Sequence, residues 1–198
     1  MKKEKTLLII KPDGVERSLI GQIIKRHERV GLKLVALKFL VPTVEMIESH
    51  YTVDPEWLRK VGQKTIDGYR AKNILPPSED PVENGKNVLR RLTKYMKSGP
   101  VVAMVWQGAH SVGIVRKIVG GTEPLNSDVG TIRGDFVTDS YIISGADDRA
   151  VRNVVHASGS VEEAEKEIKL WFGSKEILNY RLIQEEVLYD VNLDGILE

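Results

Sequence analysis

The sequence predicts an α+β fold, a ferredoxin-like split β-α-β sandwich built on a four-stranded antiparallel sheet with helices. Three observations carry that prediction. Short apolar runs and helix-period segments alternate in the order strand, helix, strand, strand, helix, strand. The runs are bounded by turn residues, as in "PDG" after the first. At 198 residues, with 41% hydrophobic and 29% charged, the chain can bury one substantial core.

Thr6 to Lys11 is a compact apolar run, read as a buried strand feeding the "PDG" turn. In "IGQIIKRHERVG", Ile20, Ile23, Ile24, His27 and Val30 mark one face of a helix, with Gly31 just beyond it as a cap. Leu32 to Leu40 alternates at both ends and gives a second strand, after which a helical segment starts near Thr43. Pro100 to Trp106 is a third, buried strand. Ser111 is expected to N-cap a short helix with Val112, Val115 and Val119 on one side. "NVVHAS" supplies the last strand, and its alternation puts Val154 and His156 on one face. Ser160 and Glu163 then form an S-x-x-E capping box for a helix whose Val161, Ala164, Ile168 and Trp171 turn inward.

The helices are expected to cover one face of the sheet. Two stretches interrupt the pattern: residues 67–87, with "LPPSEDPVENG", and residues 138–151, between Phe136 and the last strand. Both read as insertions in a single domain spanning residues 1–198.

Composition narrows the function classes. A net charge of +1 gives no basic coat, so no nucleic acid is expected as a partner. The chain has no cysteine, which excludes disulfides, thiolate metal sites and a cysteine nucleophile. The apolar stretch in "MKKEKTLLII" is too short for a signal peptide, and no run approaches a membrane span. A cytoplasmic protein without a membrane partner is expected.

His156 precedes a helix N-terminus, and Glu167 lies two turns into that helix, roughly on the side of Ser160. Neutral imidazole is a good nucleophile near pH 7. On those residues alone, a partly buried histidine bonded to backbone is the stronger reading. Lys11 ends the first strand, Arg116 rides a short helix, and Arg133 sits in "GTIRGDF". Thr122 follows a glycine pair that allows close backbone approach to a ligand. Converging, these groups would bind a phosphate chain; dispersed, each is an ordinary surface residue, with Arg133 paired to Asp135. "IKPDG" lacks the glycine spacing of a P-loop.

In order along the chain, "IIKPDGVERSLIGQIIKRHERVGLKLVALK", "HY", "YMKSGPVVAMVWQG", "GTIRGDF" and "NVVHASGSVEEAEKEIKLWF" resemble the nucleoside diphosphate kinases, from about Thr6 to Tyr189. The resemblance implies a phosphotransferase that moves the γ-phosphate of a nucleoside triphosphate to a nucleoside diphosphate. His156 would carry the phosphoryl group between the two half-reactions, giving ping-pong kinetics. Mg²⁺ would ride on the nucleotide phosphates, with no protein residue expected as a metal ligand.

By the same resemblance, Lys11 contacts the transferred phosphate and the sugar 3′-hydroxyl, and Tyr51 lies near the phosphate and the nucleophile. Arg116, Thr122 and Arg133 bind phosphates, Asn153 binds the sugar hydroxyls, and Ser158 with Glu167 shapes the surroundings of His156. Gly14 is read as the residue that turns the chain after Lys11. Two positions depart from the family pattern. Where the family presents a phenylalanine to the nucleobase, "NVLRRLTKYM" offers Val88 and Leu89, an aliphatic cover that stacks more weakly. Ala157 stands where many relatives have glycine, and is compatible only with a backbone that avoids positive φ. The family assembles as hexamers, or as tetramers in some bacteria, so a homo-oligomer is implied, with the hexamer favoured.

Overall fold

The structure is a computed structural model that describes residues 3–52, 56–71 and 73–190. Its strands are β1 (Glu4–Ile10), β2 (Lys33–Leu40), β3 (Val101–Gly108) and β4 (Val155–Ala157). Its α-helices are α1 (Pro12–Glu16), α2 (Ile20–Glu28), α3 (Val44–Tyr51), α4 (Trp57–Arg70), α5 (Pro81–Met96), α6 (Ser111–Val119), α7 (Ile132–Phe136), α8 (Tyr141–Ala146) and α9 (Val161–Trp171). The strands form one sheet in the order β2-β3-β1-β4, and every pairing is antiparallel. That is the α+β, ferredoxin-like arrangement expected from the sequence.

Both faces of the sheet are covered, not one. Leu8 and Ile10 of β1, with Val102, Met104 and Trp106 of β3, pack under α2, α6 and α7 through Ile23, Val115, Val119 and Ile132. Leu7 and Ile9, with Val101, Ala103 and Val105, face the opposite way and meet Ile47, Tyr51, Met96 and Trp171 of α3, α5 and α9. Apolar residues run without a break through Leu7–Ile10 and Val101–Trp106, which is the pattern of strands buried on both sides. Val30, expected on the buried face of α2, is 47% exposed because the helix ends at Glu28 and Gly31 turns the chain at φ +84°.

His27 of α2 lies fully buried against Trp106, ring centroids 5.2 Å apart, and its Nδ1 donates to the Ile23 carbonyl at 2.8 Å. Burial holds its pKa down at about 4. The unfolded chain therefore binds a proton that the folded chain refuses, and stability is lost as the pH falls from about 6.5 to 4. That loss is about 3 kcal/mol for this one group. In His27→Leu, urea unfolding at pH 4.5 and pH 7 should differ by about 2–3 kcal/mol less than in the wild type. An unchanged acid slope would contradict this assignment.

Residues 67–87, expected to be turn-rich, contain the end of α4 and the start of α5. Asp80 N-caps α5, its side chain accepting from Val82 N–H at 2.9 Å, and Pro81 opens the helix where its missing N–H costs nothing. α4 and α5 cross at backbone distance. A Cβ on Gly62 would lie 1.7 Å from the Pro81 carbonyl oxygen, and one on Gly85 would lie 2.1 Å from that of Leu58. Residues 138–151 hold α8, and Asp148 beyond it pairs with Arg90 (3.3 Å) and Arg91 (2.6 Å) of α5. Residues 138–151 therefore pair with the C-terminal half of α5, beyond the end of the first elaborated region.

Candidate active site

The site gathers at the C-terminal end of β1 and around β4. Lys11 follows β1 directly, and its backbone N–H donates to the Val154 carbonyl at 2.8 Å. Gly14 lies inside α1 with no positive φ, so it is not needed as a turn. Its small size matters instead, since a Cβ there would sit 2.8 Å from Ile10 Cγ2 and 3.1 Å from the Val154 carbonyl oxygen.

Val154 has φ +53°, a left-handed conformation that a β-branched residue resists at a cost of about 1–3 kcal/mol. The expected alternation therefore fails there: Val154 and Val155 pack into the same core, while His156, opposite Ile9, points the other way. The turn is pinned on both sides. Val154 N–H donates to Asp13 Oδ2 (3.3 Å), Asn153 N–H donates to the Tyr95 hydroxyl (3.4 Å), and that hydroxyl donates to Asp13 Oδ1 (2.5 Å). Ala157 lies in β4 and is not among the described residues of positive φ, so its side chain is accommodated.

The turn presents Asn153 and His156 into one cleft. Lys11 Nζ donates to Asn153 Oδ1 at 2.7 Å, and Asn153 Nδ2 donates to the Thr122 carbonyl at 2.9 Å. Arg133 is buried beside them. Its Nε donates to the Asn153 carbonyl (3.3 Å), Nη1 to the Gly120 and Gly121 carbonyls (3.0 Å each) and Nη2 to the Val155 carbonyl (2.7 Å). Most of its donors are thus spent holding backbone, which leaves its charge and one N–H of Nη2 for a ligand. Asp135 pairs with Arg26 at 2.5 Å rather than with Arg133. Burial and the nearby Arg133 charge push the Lys11 ammonium down to about 7, against an opposing pull from Asp13.

His156 Nε2 lies 2.8 Å from Glu167 Oε1, and Ser158 Oγ donates to Glu167 Oε2 at 2.6 Å. Glu167 is 1% exposed at the centre of α9. Ser160 starts that helix by accepting Glu163 N–H, while the Glu163 carboxylate takes the Gly159 N–H instead of closing a reciprocal capping box. Burial raises the Glu167 carboxyl, opposed by His50 and by the Ser158 hydroxyl. Burial, then the Lys11 charge, holds His156 down at about 3, so its ring is neutral at physiological pH. A carboxylate accepts, so the Nε2 side carries the ring proton and Nδ1 keeps the lone pair.

The other expected residues fall around this centre. Tyr51 is buried with its ring 4.9 Å from that of His50, and its hydroxyl has no partner among the described residues. Arg116 is exposed on α6, with Nη1 3.7 Å from where a Cβ on Gly159 would lie. Thr122 is exposed, and Val88 is half-buried on α5, two turns before Tyr95. Ser111 does not cap α6. His110 holds that position at φ +54°, and the Ser111 hydroxyl is buried in the first turn.

A family model for nucleoside diphosphate kinase matches residues 4–57 and 81–177. The chain belongs to the nucleoside diphosphate kinase family.

The match leaves residues 58–80 aside, which are most of α4 and the loop after it, and runs through residues 138–151. A nucleoside diphosphate kinase from Pyrobaculum aerophilum is 50% identical over 182 residues, covering 90% of this chain and all of that one. A solved NDP kinase from Pyrobaculum aerophilum superposes with a TM-score of 0.86 at 47% identity, covering 90% of this chain and 100% of its own. The nucleoside diphosphate kinase from Borrelia burgdorferi, solved as a transition-state mimic with vanadate and ADP, superposes at 0.77 with 36% identity, covering 93% and 96%. The kinase is thus a phosphotransferase that moves the γ-phosphate of a nucleoside triphosphate to a nucleoside diphosphate through a phosphohistidine, in the two displacements general to its family.

Sequence reasoning passed over Asp13, Tyr95, His50 and Trp171, all of which brace the kinase's site. The signals were present in "KPDG", "HY", "YM" and "LWF", but each residue acts through another side chain or a strained backbone, which no spacing rule displays.

Proposed function

We propose that His156 is the nucleophile and that it reacts through Nδ1. The observation that carries this is the Ser158–Glu167–His156 chain, which occupies Nε2 and leaves Nδ1 as the basic nitrogen. Nδ1 attacks the γ-phosphorus, the bond to the bridging oxygen breaks, and the nucleoside diphosphate leaves with that oxygen. A β-phosphate oxygen of the second nucleotide then attacks the same phosphorus and releases Nδ1. Glu167 holds the Nε2 proton throughout and balances the positive charge the ring acquires.

Lys11, Arg116 and Arg133 converge as the cations that meet the phosphates, with Thr122 as a hydroxyl donor and Tyr51 beside the nucleophile. An arriving polyphosphate raises the Lys11 pKa again and keeps it charged. Lys11 and Asn153 bind the sugar hydroxyls, and Val88 covers the nucleobase. Mg²⁺ enters on the nucleotide and supplies charge neutralisation along its phosphates. The donor set fits that reading: the cleft offers cations, and the one carboxylate of the His50, His156 and Glu167 group is already bonded at both oxygens.

The chain works as a single domain carrying insertions near 67–87 and 138–151, in the cytoplasm, as a homo-oligomer with the hexamer favoured over the tetramer. Association is supported by β2, an edge strand with Leu37, Phe39 and, just beyond it, Val41 exposed. Initial rates with varied ATP and a series of GDP concentrations should give parallel double-reciprocal lines. Intersecting lines would mean direct transfer between two bound nucleotides and would overturn the covalent route.

A further inference from the structure

His50 lies under the nucleophile and has no role in the chemistry described so far. Its ring is edge-on to His156, centroids 4.4 Å apart, and it is 3% exposed. Its Nδ1 has two neighbours. Trp171 Nε1 lies 3.3 Å away, and Glu167 Oε1, the same oxygen that serves His156, lies 3.4 Å away. An indole N–H only donates, so Nδ1 can hold the bond to Trp171 only as an acceptor, with the ring proton on Nε2. Nε2 is buried without a partner among the described residues.

That arrangement is against the local preference of the ring. A proton moved to Nδ1 would find Glu167 Oε1 and would no longer be stranded at Nε2. It would also draw the carboxylate away from His156. We infer that Trp171 is a tautomer lock: by donating to His50 Nδ1 it keeps His50 from claiming Glu167, and so reserves that carboxylate for the nucleophile. His50 and Trp171 are positioning residues, acting through Glu167, and the inference rests on the proposed role of Glu167 toward His156.

The charged and titratable groups facing His50 are Glu167 on α9, His156 on β4, Lys11 after β1 and Tyr51 on its own helix. Glu167 favours a protonated His50, whereas Lys11 and a protonated His156 oppose it. Burial is the larger influence and holds His50 at about 3, so the lock works on a neutral ring.

Two measurements test the lock. In the unmodified protein, nitrogen chemical shifts of His50 should show a proton on Nε2 and a bare Nδ1 across pH 6–8. A proton on Nδ1 would overturn the inference, whatever the fate of the phosphohistidine reading. In Trp171→Phe, kcat should fall about tenfold or more at neutral pH with KM unchanged, because His50 Nδ1 is then free to carry the proton and donate to Glu167. The double variant His50→Phe/Trp171→Phe should recover most of that loss, since no imidazole is left to compete for the carboxylate. A Trp171→Phe enzyme with wild-type kcat, or a double variant no faster than the single one, would contradict it.

Discussion

His156→Ala should lose turnover by at least about 10⁴-fold, since removing an attacking group leaves only binding and electrostatic stabilisation. Nucleotide affinity should stay within about threefold, because Lys11, Arg116, Arg133 and Asn153, the residues proposed to hold the ligand, do so independently of the imidazole. Isothermal titration with ADP and Mg²⁺, beside steady-state assays, separates the two quantities. The asymmetry follows from the structure: Lys11 is bonded to Asn153, and Arg133 to backbone carbonyls, so neither depends on the histidine for its position. Near-normal turnover in this variant would mean that the nucleophile lies elsewhere.

Glu167→Gln should be the next most damaging change, with kcat down about 10²-fold or more and KM nearly unchanged. The glutamate accepts two hydrogen bonds, from His156 and from Ser158, on separate oxygens. An amide offers one acceptor oxygen and a donor group, so one of the two bonds must be lost. If the amide nitrogen faces His156, Nε2 becomes the acceptor and the proton moves to Nδ1, where it blocks attack. Loss in KM with kcat preserved would place Glu167 in nucleotide binding rather than in preparing the imidazole.

Much of the architecture was legible in the sequence because local and tertiary signals agreed. The Ile23 and His27 spacing, the helix start near Thr43 and the unbroken apolar runs of β1 and β3 each have one good solution, and the chain adopts it. The failures share a different cause. Val154 resists its left-handed backbone, yet Asp13 and Tyr95, far away in the chain, hold it there. The α5 start was concealed by "SEDPVEN", where turn residues and helix-start residues are the same types. At His156 the local residues favoured a buried structural histidine, and only the family resemblance tied Lys11, Arg116 and Arg133 to it. Arg133 illustrates what a motif leaves out. The motif marks it as a phosphate ligand, whereas most of its N–H groups here brace the carbonyls of residues 120, 121, 153 and 155.

A label chase tests the covalent phosphohistidine most directly. The folded protein is mixed with γ-labelled ATP and Mg²⁺, separated from free nucleotide, and then given GDP. One acid-labile, base-stable phosphoryl group should form on His156 and leave quantitatively as labelled GTP. A folded protein that takes up no label, or label that stays when GDP is added, would contradict it.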